Sequence, residues 1–435
     1  WILLILILLL GLSLRLYDLD KESLWFDEAI TVNEIKQDKL SDIIKSVYEI
    51  EGKPPSDYIM LHYWGKLFGL SVFALRFFYL IFGVLGIYVL YLLGKELFNE
   101  KVGLISSFLM SISAINILYS QELRAYTSFV FWTLLSYLYF TRVVKKDSNY
   151  IHLSLVNAFT NTVHYFGIIN MGVQNIIMLV LFIKKKISLK KWIYAQILPS
   201  FAFLISIKPF LVLFVEFHYA LQSIFMSKFL LPFSIAQFGI LLFMVPFIIL
   251  FFISFLFFYY ADVWIKLYDR MKKKIVLPII ILVWILFFVM AMNILLTPSF
   301  FTRYSIFMVP FFYLALSKMF VDLHSKKKLA VYLIIITVFA SFILTNYYID
   351  NTKEEWKEVA LFVKQNENSN DIIMFDFSTI NLSFNHYYGG NAQQMALSQD
   401  KTSNLKVSNK GIWLILSHNW KTGDFYLDAL KEIYN

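Results

Sequence analysis

The chain has 435 residues, 59% of them hydrophobic and only 16% charged, with 45 Phe and a formal charge of +9. A soluble domain of this length has too little interior to hide that much apolar surface. Nucleic acid is not the partner that the charge implies, because the cations sit in short clusters between long apolar runs. With no cysteine, disulfides, thiolate catalysis and Cys-ligated metals are excluded.

The apolar runs are about 20 residues long. A helix of that length crosses a hydrocarbon core of roughly 30 Å. We expect about eleven membrane helices, at 1–17, 72–94, 102–119, 126–141, 151–166, 168–183, 192–208, 237–260, 275–296, 304–321 and 329–349. No small-residue cleavage site follows the first run, only Arg15-Leu-Tyr-Asp-Leu-Asp, so it reads as a retained helix. Every second connection is basic: Arg142 with Lys145 and Lys146, Lys184–Lys186 with Lys190 and Lys191, Arg270 with Lys272–Lys274, and Lys326–Lys328. That alternation places those loops and the N-terminus in the cytoplasm. Basic clusters bound 151–183 on both sides, so the stretch is a hairpin with His164-Tyr-Phe-Gly167 at its outer tip.

Parity puts four other segments outside: 18–71, Tyr119–Tyr126, 209–236 and Thr297–Arg303. Within 18–71, residues 34–50 carry Ile35, Leu40, Ile43, Ile44 and Val47 at helical spacing, which predicts an amphipathic helix lying in the interface. The apolar but interrupted 209–236 segment is expected to lie on the membrane or to cover a site, or else to form a further transmembrane pair. The fold class is thus an all-α polytopic membrane domain, residues 1–349, with a first extracytoplasmic loop at 18–71. A small α/β domain on the outer side follows at 350–435, where the composition turns polar. It is expected to run helix (Glu354–Gln365), strand (Asp371–Phe375), strand (Ile412–Ser417).

Charge near hydrocarbon is costly without a purpose or a partner. The outer loops nevertheless hold Asp27, Glu28, Glu51, Lys53, Glu122, Arg124, His164 and Arg303, each close to an apolar helix end. Taken singly, each has a plain reading. Asp27-Glu28 reads as a solvated acidic pair, Glu122 and Arg124 as an exposed ion pair, and Arg303 as a cation reaching the headgroups. Lys53 precedes Pro54-Pro55, which fixes the turn and aims the side chain. Together, cations and carboxylates on one face suit a site that holds a lipid phosphate and moves a proton beside it.

The ordered motifs are Ser23-Leu-Trp-Phe-Asp-Glu-Ala29, Lys53-Pro-Pro, His62-Tyr-Trp-Gly-Lys-Leu-Phe-Gly69, Ala74-Leu-Arg76, Tyr119-Ser-Gln-Glu-Leu-Arg-Ala-Tyr126, His164-Tyr-Phe-Gly167 and Arg303-Tyr304 with Pro310 beyond. In that order they resemble the GT-C membrane glycosyltransferases of the protein-mannosyltransferase and aminoarabinose-transferase type, over residues 15 to about 320. The resemblance implies transfer of a sugar from a polyprenyl-phosphate-linked donor, with inversion, at the outer face of the cell membrane. It implies Asp27 as general base with Glu28 and Glu122 as the other catalytic acids. It implies Lys53, Arg124, His164, Arg303 and Tyr304 as substrate-binding residues. Gly52 separates Glu51 from Lys53, a departure from the family's Glu-Lys-Pro turn. A divalent metal is optional, with Glu51, Glu122 and His164 as its donors, although their spacing is no metal signature. The acceptor is a lipid, a glycan or a protein. A transporter or flippase for a lipid-linked or anionic solute is the alternative. It fits less well, because the predicted spans are nearly free of charge and show no repeat.

Overall fold

A computed structural model describes residues 1–183, 189–207, 303, 306–323, 325–350, 353–368, 370–375, 380–396 and 411–417. Long apolar stretches bounded by Ser, Asn and Pro become helices, and their start signals are visible as bonds. Ser71 accepts the Ala74 N–H at the head of α5 (Val72–Leu97), and Asn99 accepts the Val102 N–H at the head of α6 (Glu100–Ser111). Before them come α1 (Ile2–Leu16), α2 (Phe26–Ile35), α3 (Leu40–Ser46) and α4 (Ser56–Phe68). After them come α7 (Ala114–Ser120), α8 (Tyr126–Lys146), α9 (Tyr150–Val163), α10 (Gly167–Ile183) and a helix at 189–207. The membrane part closes with α12 (Val309–Asp322) and α13 (Lys326–Ile349), counting 189–207 as α11.

Nine of the expected spans coincide with these helices. The spans at 237–260 and 275–296, and the 209–236 segment, lie outside the described residues. Among the described residues, α5 and α13 are each long and apolar enough to cross a membrane, and α6 with α7 make a third such unit bent by 63°. The bend leaves the last carbonyls of α6 without helical partners. Arg15, fully buried at the end of α1, meets them. It donates to the Met110 and Ser111 carbonyls at 3.2 and 3.1 Å and to Ser120 Oγ at 3.1 Å. The Arg15-Leu-Tyr motif is therefore a clamp on the α6–α7 corner.

A shared core joins Ile7 of α1, Leu90 of α5, Met110 of α6, Phe129 and Leu134 of α8 and Leu314 of α12. The α5–α6 crossing is close because two glycines face each other: a Cβ on Gly94 would stand 2.8 Å from Gly103 Cα. Basic clusters gather at one end of the bundle, where Lys146 pairs with Glu96 at 3.0 Å and Lys191 with Asp147 at 2.5 Å. The acidic loops lie at the other end.

At that second end the expected helix over 34–50 is corrected. α2 stops at Ile35, α3 starts after Lys39, and a wider helical turn runs from Val47 to Glu51. Ile35, Ile43 and Val47 are at most 2% exposed and pack on Tyr58, Leu61 and Leu75. Their apolar face is covered by α4 and by the start of α5. His62 fixes the junction, its Nδ1 lying 2.7 Å from the Ile35 carbonyl at the end of α2.

Beyond α13 the chain forms α14 (Trp356–Asn366), β1 (Ile372–Phe375), α15 (Asn381–Tyr387), β2 (Gln393–Ala396) and β3 (Ile412–Ile415). The sheet is parallel in order β2-β1-β3, with Ile372 opposite Gln393 and Ile412. All four residues of β1 are buried, as a central strand covered on both faces requires. Ile373 and Phe375 meet Trp356, Val363 and Phe384, while Ile372 and Met374 meet Met395 and Leu414. The expected helix and two strands are present, and α15 with β2 completes them.

Candidate active site

Trp25 is extended and α2 begins after it, so Asp27 and Glu28 fall in the first helical turn. Negative side chains are stabilised there by the helix dipole and the unpaired N–H groups. The two acids then part company. Glu28 points inward and is 0% exposed. Its Oε1 accepts from Arg76 Nε at 3.0 Å and the Leu123 N–H at 2.8 Å. Its Oε2 accepts from Arg76 NH2 at 2.8 Å, Lys353 Nζ at 3.0 Å and the Trp25 N–H at 3.3 Å. Burial alone pushes this carboxyl up, but Arg76 and Lys353 outweigh it and hold its pKa at about 2. As a carboxylate, Glu28 ties α2, α5, the 121–125 loop and the tail together. All of its contacts are with protein groups and none of it is exposed, a geometry that suits an anchor better than the catalytic role expected of it.

Asp27 faces the other way, with its side chain 25% exposed. Arg303 NH1 stands 3.2 Å from its Oδ2, and Arg124 NH2 stands 3.9 Å from the same oxygen. The Arg303 guanidinium also lies over the Trp25 ring, 4.2 Å from its centroid. Thr31 donates to the Asp27 carbonyl one turn along, at 3.0 Å.

Arg124 is buried behind Asp27. It donates to both Glu51 oxygens at 2.8 and 2.9 Å, and its NH1 also reaches the Asp27 carbonyl and Thr31 Oγ1, each at 3.0 Å. Glu51 in turn takes Lys53 Nζ at 2.7 Å. Gly52 makes that possible: its φ of +57° reverses the chain after the wide turn, so Lys53 folds back on Glu51. The inserted glycine thus builds the pair. Asp27, Arg124, Glu51 and Lys53 form one continuous network.

Glu122 sits beneath it, 5% exposed, and its Oε1 has no hydrogen-bond partner. Burial and the nearby Glu28 and Asp27 charges raise its pKa to about 7, against the pull of Lys353 and Arg303. Arg124, its neighbour in sequence, pairs with Glu51 and not with Glu122. His164 is 4% exposed and stacked on Phe129 at 4.8 Å, with Nδ1 accepting the Phe166 N–H at 3.2 Å. Burial and the Arg124 charge lower its pKa to about 3, so it stays neutral. The three expected metal donors do not meet. Glu51 is taken by two cations, His164 turns to the Phe166 amide, and among the described residues no three His, Asp or Glu converge. Tyr304 lies outside the described residues.

Three contributors escaped the sequence reading as site residues: Arg76, Lys353 and Asp57. Arg76 lay inside a quoted motif, Ala74-Leu-Arg76, and that was its signal. Asp57, in the first turn of α4 after the two prolines, is 1% exposed and accepts from Tyr79 at 2.5 Å and Ser128 at 2.6 Å. Burial raises its pKa to about 6. Its partners are distant in sequence, so nothing local marks it.

Among solved structures, an oligosaccharyltransferase of Archaeoglobus fulgidus, in complex with Zn and sulfate, superposes with TM-score 0.55 at 13% identity. The match covers 91% of this chain and 62% of that one. ArnT from Cupriavidus metallidurans bound to undecaprenyl phosphate gives 0.52 at 11% identity, covering 91% and 86%. The chain shares the fold of these two proteins. Within it, residues 52–213 match the family described as dolichyl-phosphate-mannose-protein mannosyltransferase. An uncharacterised protein of Aquifex aeolicus (strain VF5) is 31% identical over 153 residues, which is 33% of this chain and 30% of that protein. The chain therefore spans under two thirds of the oligosaccharyltransferase and matches under a third of the Aquifex protein. The resemblance read from the ordered motifs holds at the level of fold and of the 52–213 segment.

Proposed function

We propose that this protein is a membrane glycosyltransferase that moves a sugar from a polyprenyl-phosphate carrier to a hydroxyl acceptor at the outer face. The observation that carries the reading is the accessibility of Asp27. Of the acids gathered here, Glu28, Glu51 and Glu122 are at most 7% exposed, whereas Asp27 is 25% exposed beside the partly exposed Arg303. The ion pairs join three carboxylates (Asp27, Glu28, Glu51) to five cations (Lys53, Arg76, Arg124, Arg303, Lys353). The surplus of positive charge suits an anion, and a lipid phosphate supplies one. Dolichol-phosphate and undecaprenyl phosphate are bound in the archaeal AglB and ArnT structures of the same fold, which supports a carrier of that kind.

The chemistry follows from the placement. Asp27 accepts the proton of the attacking hydroxyl while that oxygen bonds to the anomeric carbon. The bond from that carbon to the phosphate oxygen breaks, and the carrier leaves as polyprenyl phosphate. Attack from the side opposite the phosphate inverts the centre. Arg303 exchanges Asp27 for the donor phosphate, freeing the carboxylate, and Lys53 adds a second charge to the departing group. Arg124 is too buried to reach the donor. It holds Asp27 by its carbonyl and keeps Glu51 beside Lys53. Glu122 is the proton-poised neighbour under the site.

Mass spectrometry of envelope lipids, glycans and proteins after deletion of the gene tests the proposal. One sugar should disappear from one acceptor class, and complementation should restore it. An unchanged envelope inventory, with carrier-linked solute stranded on the cytoplasmic side, would favour a flippase.

A further inference from the structure

The tail reaches into the site from behind. Lys353, just past α13, places Nζ 3.0 Å from Glu28 Oε2 with only 12% of its side chain exposed. Tyr387 at the end of α15 accepts the Leu24 N–H at 2.8 Å, and Leu24 is 0% exposed, so water offers that amide no substitute. The Lys357 N–H donates to Ser23 Oγ at 2.9 Å, and Ser23 donates to Glu358 at 3.3 Å. Residues 23, 24 and 28 thus each carry a contact from beyond residue 350, and they bracket Asp27. Among the described residues none of these tail contacts touches Asp27 itself.

Segment 23–28 is one extended stretch and one helical turn. Besides the tail, it is held by Arg76, the Leu123 amide, Arg124, Arg303 and the burial of Leu24 against Val32, Tyr58 and Leu61. Arg76 donates to the Leu19, Glu22 and Ser23 carbonyls as well as to Glu28, so it holds the approach to the segment. Lys353 adds a second cation to the Glu28 Oε2 that Arg76 also holds. It shares a small polar crevice with Arg76, Gln121 and Tyr347.

We propose that the C-terminal domain is a working part of the site, in which Lys353 and Tyr387 are positioning residues that hold segment 23–28 so that Asp27 faces the acceptor. The role assigned to Asp27 rests on the glycosyltransferase reading; the mechanical link does not. A domain that docks this way couples whatever it binds to the reactive geometry. Lys353 contacts Glu28, shares its crevice with Asp18, Lys21, Glu22, Arg76 and Asp350, and acts at longer range on Glu122, so its removal shifts both Glu28 and Glu122.

The test uses the full chain in lipid nanodiscs, as wild type, Lys353→Met, Lys353→Arg and Tyr387→Phe. Hydrogen exchange is followed at residues 23–31, with 126–146 as the internal control. Exchange at 23–31 rises at least tenfold in Lys353→Met and Tyr387→Phe, stays near wild type in Lys353→Arg, and does not change at 126–146. Turnover is measured with the donor sugar lost on gene deletion, and carrier binding with undecaprenyl phosphate alone. The kcat falls at least tenfold in Lys353→Met, the affinity for undecaprenyl phosphate stays within twofold, and the ionisation near pH 7 moves to higher pH. Lys353→Arg restores all three. Wild-type exchange at 23–31 in both Lys353→Met and Tyr387→Phe overturns the proposal. So does a loss of protection that spreads equally to 126–146, which marks a general loss of stability. Full transfer in Asp27→Asn would remove the base and leave the exchange result to decide the link by itself.

Discussion

Arg124 grips Glu51 with both guanidinium nitrogens, at 2.8 and 2.9 Å. This bidentate pair joins the loop after α7 to the turn before α4, and it places Lys53 and Asp27 on one framework. Both side chains are at most 7% exposed, so neither charge has water to fall back on.

Removing one member should therefore be costly. Breaking a buried pair by deleting one partner typically costs about 3–5 kcal/mol, because the other charge stays buried alone. Glu51→Ala is expected to lower the thermal midpoint in nanodiscs and to abolish transfer together. Replacing Glu51 and Arg124 together by apolar residues should recover part of the stability and none of the activity. An unchanged midpoint in Glu51→Ala would show that the pair does not bear on the fold.

Glu28 predicts a different signature, in acid. Its folded pKa is about 2, against 4.5 for the free side chain. A depressed carboxyl contributes stability that is complete above about pH 4.5 and is lost as pH falls toward 2. The difference corresponds to roughly 3 kcal/mol. Glu28→Gln should lose that amount at neutral pH and show a flatter stability curve below pH 4.5. Thermal melts between pH 2 and 7 make the comparison.

Glu122 has the opposite sign. Its pKa is raised to about 7, so the folded state prefers it protonated. Stability then declines as pH rises from about 4.5 through 7. Glu122→Gln removes that decline and should be the more stable protein at pH 8. It should also remove one ionisation near pH 7 from the pH–rate profile. A profile that keeps this limb in Glu122→Gln assigns the ionisation to another group.

The loss of Lys53 should leave the fold nearly intact, since its partner Glu51 keeps the bidentate Arg124 pair. A hydrogen bond to a charged group is worth about 1.5–3 kcal/mol, which is roughly 10- to 100-fold in affinity. Lys53→Met should weaken donor binding by about that factor, seen in titrations with undecaprenyl phosphate. Equal affinity in the variant would take Lys53 out of the phosphate contact.

Much of this was legible in the residues. Runs of apolar residues between basic clusters marked nine spans where the described residues form helices, one of them the bent α6–α7 pair, because membrane length and charge asymmetry act locally on sequence. Asp27, Glu51, Lys53, Glu122, Arg124 and Arg303 were found because charge at a helix end is conspicuous. Their pairing was not legible. Arg124 chooses Glu51, 73 positions away, over Glu122, two positions away, because the loop backbone turns the guanidinium inward. The helix expected over 34–50 breaks at 36–39, since the same apolar spacing serves two short helices packed on α4. Lys353 was invisible because a lone Lys after a long helix carries no pattern. Only the docking of the tail gives it a partner.

The central claim is that the Asp27 carboxylate takes the acceptor's proton, and Asp27→Asn tests it most directly. The substitution keeps the size and the backbone contacts and removes the proton-accepting carboxylate, together with its partly exposed ion pair to Arg303. Transfer of the sugar identified from the deletion strain should fall by about 10²–10⁴. Undecaprenyl phosphate should still bind, and thermal stability in nanodiscs should match wild type. Transfer at the wild-type rate by Asp27→Asn would contradict the account.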